Sequence, residues 1–233
     1  MKYIKSRGLK IGKEKFQLIG PNGEESKELN IKQNSKKMLS SKTENAIKNG
    51  IVKNWNRQNH GSERVKKYPV HQKFIEFMQK KKDPKILIVG LAQGFEIKNI
   101  KENVKNAKIN TMDVADEILP KYKKLIEYNG MFIGNGIENF QKKSLIGKFD
   151  GITAIFSAGF HIKRSNFIKN ILKMAMMLKP KGVAIIRIKR AFVPMASNQL
   201  ILLFKKLKLN THFDIKTIES DIKNQPDIII TRK

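Results

Sequence analysis

The chain has 233 residues, of which 40% are hydrophobic, and this suits one medium-sized domain with a buried core. Its 48 Lys and Arg residues outnumber its 20 Asp and Glu residues, which gives a formal net charge of +28 and favours an anionic partner. It has no Cys, which excludes disulfides and thiolate metal sites, and no apolar run long enough to cross a membrane, which predicts a cytoplasmic protein.

The first 83 residues are polar and basic, with 21 Lys and Arg against 8 Asp and Glu, and predict a basic N-terminal extension that includes a helical lid. The turn signal Pro21-Asn22-Gly23 indicates a short hairpin or a loosely ordered arm. Apolar residues at helical spacing predict two helices, over 42–58 and 70–82. Asp83-Pro84 marks the expected boundary with a second unit over 84–233.

In the second unit, predicted strands alternate with predicted helices, which is typical of a doubly wound α/β sheet with mostly parallel strands. The apolar run over 86–89 suits a strand buried on both faces. Further strands are predicted over 109–112, 131–133, 151–157 and 183–188, followed by an antiparallel pair over 213–218 and 227–231. Helices are predicted over 96–107, 115–128, 166–178 and 197–207, with a turn at 179–182.

The loop after the first of these strands reads Gly90-Leu91-Ala92-Gln93-Gly94 and is the expected ligand-binding loop. Its small residues let the backbone approach a ligand closely. Asp113, which is 19 residues after Gly94 at the end of the second strand, suits hydrogen bonds to ribose hydroxyls. The loop lacks the glycine patterns that bind pyrophosphate, so a nucleoside without one is expected. Alternatively, the two glycines serve only a tight turn and a helix start.

Further motifs follow in the same order and spacing as in a known family. They are the loop around Asn135 and Gly136, the strand that begins Phe149-Asp150, and the Leu-Lys-Pro-Lys-Gly run over 178–182. With the first loop and Asp113, they make residues 84–190 similar to the class I S-adenosylmethionine-dependent methyltransferases, and the rest of the chain resembles the family more loosely. The resemblance implies a seven-stranded, Rossmann-like sheet and S-adenosylmethionine as cofactor. It also implies a set of cofactor-binding residues, namely Gly90, Ala92, Gly94, Asp113, Asn135, Gly136 and Ser157.

Three positions depart from the family pattern. Ile88 stands where the family usually has an acidic residue, and Ala92 replaces the middle glycine of the loop. Asn135 or Gly136 occupies the place of the adenine-loop Asp. An inactive methyltransferase-like protein that binds RNA is therefore an alternative to an active enzyme.

The residues after the fourth predicted strand should border the methyl group. His161 is the candidate base for an acceptor hydroxyl or amine, or alternatively a loop histidine that only packs. Phe160 would stack on a base, or lie in the core. No signature of a particular acceptor accompanies them, so the acceptor atom stays open.

Basic and aromatic residues are interleaved over 53–82, which suits RNA but equally suits a helix whose aromatic residues pack on the core. The aromatic residues are Trp55, Tyr68, Phe74 and Phe77. The candidate substrate-binding residues are Trp55, Arg57, Arg64, Lys66, Lys67, Phe160 and Arg164, and Arg187, Lys189 and Arg190 would extend the phosphate-binding surface.

The preferred prediction is a methyltransferase that acts on RNA. A small-molecule methyltransferase, with a charge that reflects codon usage alone, is the second alternative. No metal site is assigned, and the oligomeric state stays open.

Overall fold

A computed structural model describes the chain over residues 9–11, 15–18, 27, 29–30, 65–90, 94–112, 124–126, 145–155, 164–187, 193–218, 220 and 227–233. The helices of these residues are α1 (Pro69–Gln79), α2 (Phe95–Asn103), α3 (Arg164–Met177) and α4 (Val193–Lys206). The strands are β1 (Leu9–Ile11), β2 (Lys15–Leu18), β3 (Leu29–Asn30), β4 (Lys85–Val89), β5 (Lys108–Met112), β6 (Phe149–Ile155), β7 (Leu178–Arg187), β8 (Phe213–Ile218) and β9 (Asp227–Arg232).

Six strands form the main sheet, in the order β5-β4-β6-β7-β9-β8. Strands β5, β4, β6 and β7 are parallel, whereas β9 pairs antiparallel with both β7 and β8. This confirms the predicted doubly wound, mostly parallel sheet and its antiparallel final pair. The predicted strand over 131–133, which would make seven, lies outside the described residues.

Strand β7 begins earlier than the sequence predicts. The turn expected at 179–182 lies within β7, because Leu178 already pairs with Phe149 of β6. The register then shifts before Gly151 pairs with Val183, and Lys181 has a φ of 60°. The chain advances five residues in β7, from Leu178 to Val183, while it advances two in β6, from Phe149 to Gly151. The three extra residues of β7 form an irregularity inside the strand, and no separate turn precedes it.

The four helices lie where the sequence predicts them, with differences of a few residues at their ends. Of the helix predicted over 115–128, residues 124–126 are described, and they are not helical. The helix predicted over 42–58 lies outside the described residues. No helix in the described part of the chain is long and apolar enough to span a membrane.

The main sheet is covered on both faces. Ile86 and Ile88 of β4 pack with α1 and α2, whereas Leu87 and Val89 pack with α3 and α4. Successive side chains of a strand point to opposite faces, so one short apolar strand contributes to both cores. We refer to the two faces as the α1–α2 side and the α3–α4 side.

Helix α1 lies very close to β6. Phe74 and Met78 are fully buried, and a Cβ atom on Gly151 would lie 2.5 Å from Met78 Sδ and 2.7 Å from Phe74 Cζ. The helix can therefore approach this strand only because residue 151 has no side chain. Although α1 precedes the predicted boundary at 83/84, it packs into the core formed by the strands that follow.

A smaller antiparallel sheet, in the order β1-β2-β3, precedes these elements. Leu9 pairs with Leu18, and Lys15 pairs with Asn30. The β2–β3 pair agrees with the hairpin interpretation of the Pro21-Asn22-Gly23 segment. The backbone N–H of Lys27 donates a hydrogen bond to the Leu207 carbonyl at 3.0 Å, which connects this region to the end of α4.

The packing at Gly151 predicts that Gly151→Ala lowers the free energy of unfolding by about 1–3 kcal/mol, because Phe74 and Met78 must move to admit a methyl group. Urea denaturation measures the change. Gln199→Ala on the exposed side of α4 is the control and should change stability by less than about 0.5 kcal/mol. Equal stability of Gly151→Ala and the unsubstituted chain would contradict this close packing.

Candidate functional site

The order of the strands indicates where a ligand-binding crevice is expected. From β4 the chain passes through α2 to β5 on one side, whereas β6 lies on the other side of β4. Strands β4 and β6 are parallel neighbours, so their carboxyl ends meet at one edge of the sheet. In open α/β sheets, ligands bind in the crevice outside such a switch in strand order. The β4–β6 edge is therefore the candidate site.

Gly90 and Gly94 border this crevice. Gly90 follows β4 with a φ of 76°, and its N–H donates a hydrogen bond to the Met112 carbonyl at 2.8 Å. Gly94 precedes α2 with a φ of 90°, and its carbonyl accepts a hydrogen bond from the Ile97 N–H at 3.1 Å. Both glycines thus have the left-handed conformation that L side chains rarely adopt. Residues 91–93 between them lie outside the described part of the chain.

A buried hydrogen bond connects α2 with β6 next to this crevice. Thr153 Oγ1 donates to Glu96 Oε1 at 2.5 Å, and the two residues are 0% and 7% exposed. Thr153 pairs in register with Ile88 of β4. The carboxyl group of Glu96 therefore extends from the helix that follows β4 to the strand on the other side of the switch.

Helix α1 adds His71 to the same group. Its Nε2 lies 2.7 Å from Asn99 Oδ1 of α2, and its Nδ1 lies 3.7 Å from Glu96 Oε1. An amide oxygen can only accept, so Nε2–H of His71 is the donor. This leaves Nδ1 directed towards Glu96. We refer to His71, Glu96, Asn99 and Thr153 as the polar network.

Burial raises the pKa of Glu96 above its ordinary value of 4.5. The nearby His71 and the hydrogen bond from Thr153 act in the opposite direction, but their effects are smaller than that of burial. The Glu96 carboxyl group consequently keeps its proton to a higher pH than an exposed glutamate does.

Neither a protein-family model nor a curated protein matches the sequence. Solved structures match the fold. The N-methyltransferase NodS from Bradyrhizobium japonicum WM9, in complex with S-adenosyl-L-homocysteine, gives a TM-score of 0.52 at 12% identity over 78% of this chain and 96% of that chain. The 1,6-didemethyltoxoflavin-N1-methyltransferase of Burkholderia thailandensis, with 1,6-didemethyltoxoflavin and S-adenosylhomocysteine bound, gives 0.50 at 12% identity over 98% and 99%.

A third match is a complex between the Haloferax volcanii Trm112 methyltransferase activator and a protein described as a methyltransferase. It gives a TM-score of 0.53 at 7% identity over 77% of this chain and 96% of that chain. The chain has the fold of the class I S-adenosylmethionine-dependent methyltransferases. At these identities the similarity shows the fold alone.

Arg187, at the carboxyl end of β7, does not bind phosphate as the sequence predicts. Its guanidinium group is buried, and Nε and Nη2 each donate a hydrogen bond to Asp227 at 2.8 Å. Its Cζ lies 3.8 Å from the centroid of the Tyr68 ring. The prediction is wrong because Arg187 is used inside the methyltransferase fold, where it connects β7, β9 and the residue before α1.

The structure also distinguishes between the two interpretations of the aromatic residues. Tyr68 is 8% exposed and Phe74 is 0% exposed, so both pack in the core and neither can stack on an RNA base. Phe77, on the same helix, is 39% exposed. For Tyr68 and Phe74, the alternative of a helix packed on the core is therefore the correct one.

The structure describes a minority of the predicted site residues. Gly90 and Gly94 lie at the crevice. Lys66 is half-buried and Lys67 is exposed, and both directly precede Tyr68. Arg164 is the first residue of α3, and its side chain is not among those described. The others lie outside the described residues, namely Trp55, Arg57, Arg64, Ala92, Asp113, Asn135, Gly136, Ser157, Phe160, His161, Lys189 and Arg190.

Sequence reasoning missed the polar network. A signal was present, because polar residues stand among positions that are otherwise apolar. Thr153 interrupts the apolar run of β6, and Glu96 and Asn99 are three residues apart on α2 beside Ile97 and Ile100. Such residues are buried only when they find partners, so their spacing could have suggested a shared contact.

The raised pKa of Glu96 predicts a specific pH dependence of stability. As the pH rises, the unfolded chain releases this proton near 4.5, whereas the folded chain releases it only at a higher pH. The free energy of unfolding should therefore fall, relative to that of Glu96→Gln, as the pH rises from 4.5 through the folded-state pKa. Urea denaturation of both proteins over this range measures the two free energies of unfolding. An unsubstituted chain that becomes more stable relative to Glu96→Gln as the pH rises would contradict the buried carboxyl group.

The buried pair of Arg187 and Asp227 predicts that Asp227→Asn lowers the free energy of unfolding by about 3–5 kcal/mol, because it leaves a guanidinium charge buried without its carboxylate. The matched control is Glu102→Gln, which breaks the exposed Lys98–Glu102 pair and should change stability by less than about 1 kcal/mol. Thermal and urea denaturation measure the free energy of unfolding of the two variants. Similar losses in both would show that the buried pair contributes no more to stability than the exposed pair.

Proposed function

We propose that the chain is a methyltransferase that uses S-adenosylmethionine. The observation that supports the proposal is the switch in strand order between β4 and β6, next to which Gly90 and Gly94 both have a positive φ. The absence of side chains at Gly90 and Gly94 lets a ligand approach the backbone. Two of the structures with this fold, NodS and the toxoflavin methyltransferase, have S-adenosylhomocysteine bound.

The sequence motifs supply the proposed cofactor contacts. Asp113 is the next residue after Met112, whose carbonyl oxygen accepts the Gly90 N–H, and we propose that Asp113 binds the ribose hydroxyls. Ala92, Asn135, Gly136 and Ser157 complete the proposed cofactor contacts. When bound, S-adenosylmethionine supplies a methyl group on a sulfonium, and the protein orients the acceptor in line with it and excludes water. His161 is the proposed base.

For the acceptor we propose RNA. The net charge of +28 favours a polyphosphate, because Lys and Arg release condensed counterions when they bind phosphates. Lys66 and Lys67 stand directly before Tyr68, whose ring contacts Arg187 at the carboxyl end of β7. We propose that these two basic residues contact phosphates of the RNA next to the methyl donor.

Calorimetry with S-adenosylhomocysteine, together with titration of a fluorescent single-stranded RNA at several salt concentrations, tests both halves of the proposal. We expect binding of both ligands, with an RNA affinity that falls steeply as salt rises. Cofactor binding without salt-sensitive RNA affinity would instead indicate a small-molecule methyltransferase. RNA binding without cofactor binding would indicate a methyltransferase-like RNA-binding protein that is not an enzyme.

The proposed phosphate contacts predict that replacing Lys66 and Lys67 with Gln weakens RNA binding. It should also reduce the slope of log affinity against log salt by about 0.7 for each phosphate that is no longer bound. The matched control replaces Lys205 and Lys206, two exposed residues at the end of α4, and removes the same charge. Titrations at several salt concentrations measure both slopes. Equal slopes for the two double variants would show that only the overall charge matters.

A further inference from the structure

We propose that Glu96 is a positioning residue for the cofactor crevice, and that it acts through its hydrogen bond with Thr153. This inference rests on the proposed function, because it concerns how the same site is prepared for its cofactor. It assigns a role in binding to a residue that the sequence motifs leave out.

Glu96 is close in the chain to the cofactor loop. Helix α2 begins at Phe95, directly after Gly94, so Glu96 lies in the first turn of the helix that follows the cofactor loop. The Ile97 N–H is bonded to the Gly94 carbonyl in the same turn. A displacement of Glu96 would therefore displace the end of the loop.

Glu96 also contacts Thr153, across the switch in strand order between β4 and β6. Thr153 belongs to β6, and its register partner on β4 is Ile88, which is apolar and fully buried. Strand β4 therefore brings no carboxyl group to this place, and Glu96 brings one from α2. The 2.5 Å bond between Thr153 and Glu96 connects the first turn of α2, next to the loop end, with β6 on the other side of the switch.

Helix α1 restricts the Glu96 side chain through His71. His71 is 1% exposed, donates to Asn99 on α2 and directs its other ring nitrogen towards Glu96. Because the carboxyl group lies between this imidazole and Thr153, it has few alternative positions. A loop end whose position is already fixed, as we infer for Gly94, loses less freedom when a ligand binds, so affinity increases.

Four single variants of the full chain test this role, in two matched pairs. Glu96→Leu removes the acceptor, whereas Glu96→Gln keeps an oxygen that accepts from Thr153. Thr153→Val removes the donor, whereas Thr153→Ser keeps the hydroxyl group. Glu102→Gln changes a half-exposed glutamate at the other end of α2 and is the control. The probe is S-adenosylhomocysteine, measured by calorimetry at a temperature where circular dichroism shows each protein to be folded.

We expect Glu96→Leu and Thr153→Val each to raise the dissociation constant about tenfold, and the two conservative variants to stay within about threefold of the unsubstituted chain. The double variant Glu96→Leu/Thr153→Val should bind no more than about twofold more weakly than either single variant, because both remove one shared bond. RNA affinity should be unchanged in all of them. A purely structural role would lower the melting temperature without this pattern of rescue.

The unfavourable outcomes are distinct. If the unsubstituted chain binds the probe and all four variants bind it equally well, or are all weakened alike, the inference is overturned and the proposed function stands. If the unsubstituted chain does not bind the probe, the proposed function fails, and the inference fails with it.

Amide hydrogen exchange of the ligand-free chain provides a second measurement that does not require binding. The Ile97 amide, bonded to Gly94, should exchange faster in Glu96→Leu and Thr153→Val than in their conservative partners. Unchanged exchange in both disruptive variants would also overturn the inference.

Discussion

The close packing of helix α1 on strand β6 determines where the polar residues of the carboxyl edge lie. Because Gly151 has no side chain, Phe74 and Met78 can reach the sheet and place the first turn of α1 over the ends of the parallel strands. His71 then faces Glu96 and Asn99, and Tyr68 lies against Arg187. One contact between a helix and a glycine thus positions two separate groups of buried polar side chains.

These two groups have different roles. The pair of Arg187 and Asp227 connects β7 with β9 and is fully enclosed, so its charges serve the fold. The polar network of Glu96, Thr153, His71 and Asn99 lies at the switch between β4 and β6, where α/β sheets bind their ligands. Burial of polar groups costs free energy unless they are hydrogen-bonded, so the His71–Asn99 and Thr153–Glu96 bonds favour one arrangement of these side chains.

Local sequence patterns could predict the order of the helices and strands, and they could predict the two glycines next to the candidate site. The apolar run of β4, followed by Gly90 and Gly94, is a local signal that a single stretch of chain contains. Sequence could not predict the fate of Arg187, because its partner Asp227 is 40 residues away and an arginine at a strand end resembles a phosphate ligand. The bond between Glu96 and Thr153, 57 residues apart, was hidden for the same reason. The irregular start of β7 could not be predicted either, because it depends on the pairing of Leu178 with Phe149 of another strand.

The central claim is that the crevice between the carboxyl ends of β4 and β6 binds S-adenosylmethionine. A crystal structure of the chain soaked with S-adenosylhomocysteine tests it most directly. We predict a ligand that lies against the backbone of Gly90 and Gly94 and whose ribose hydroxyls donate hydrogen bonds to Asp113. Electron density for the ligand at another place, or none in crystals soaked at saturating concentration, would contradict it.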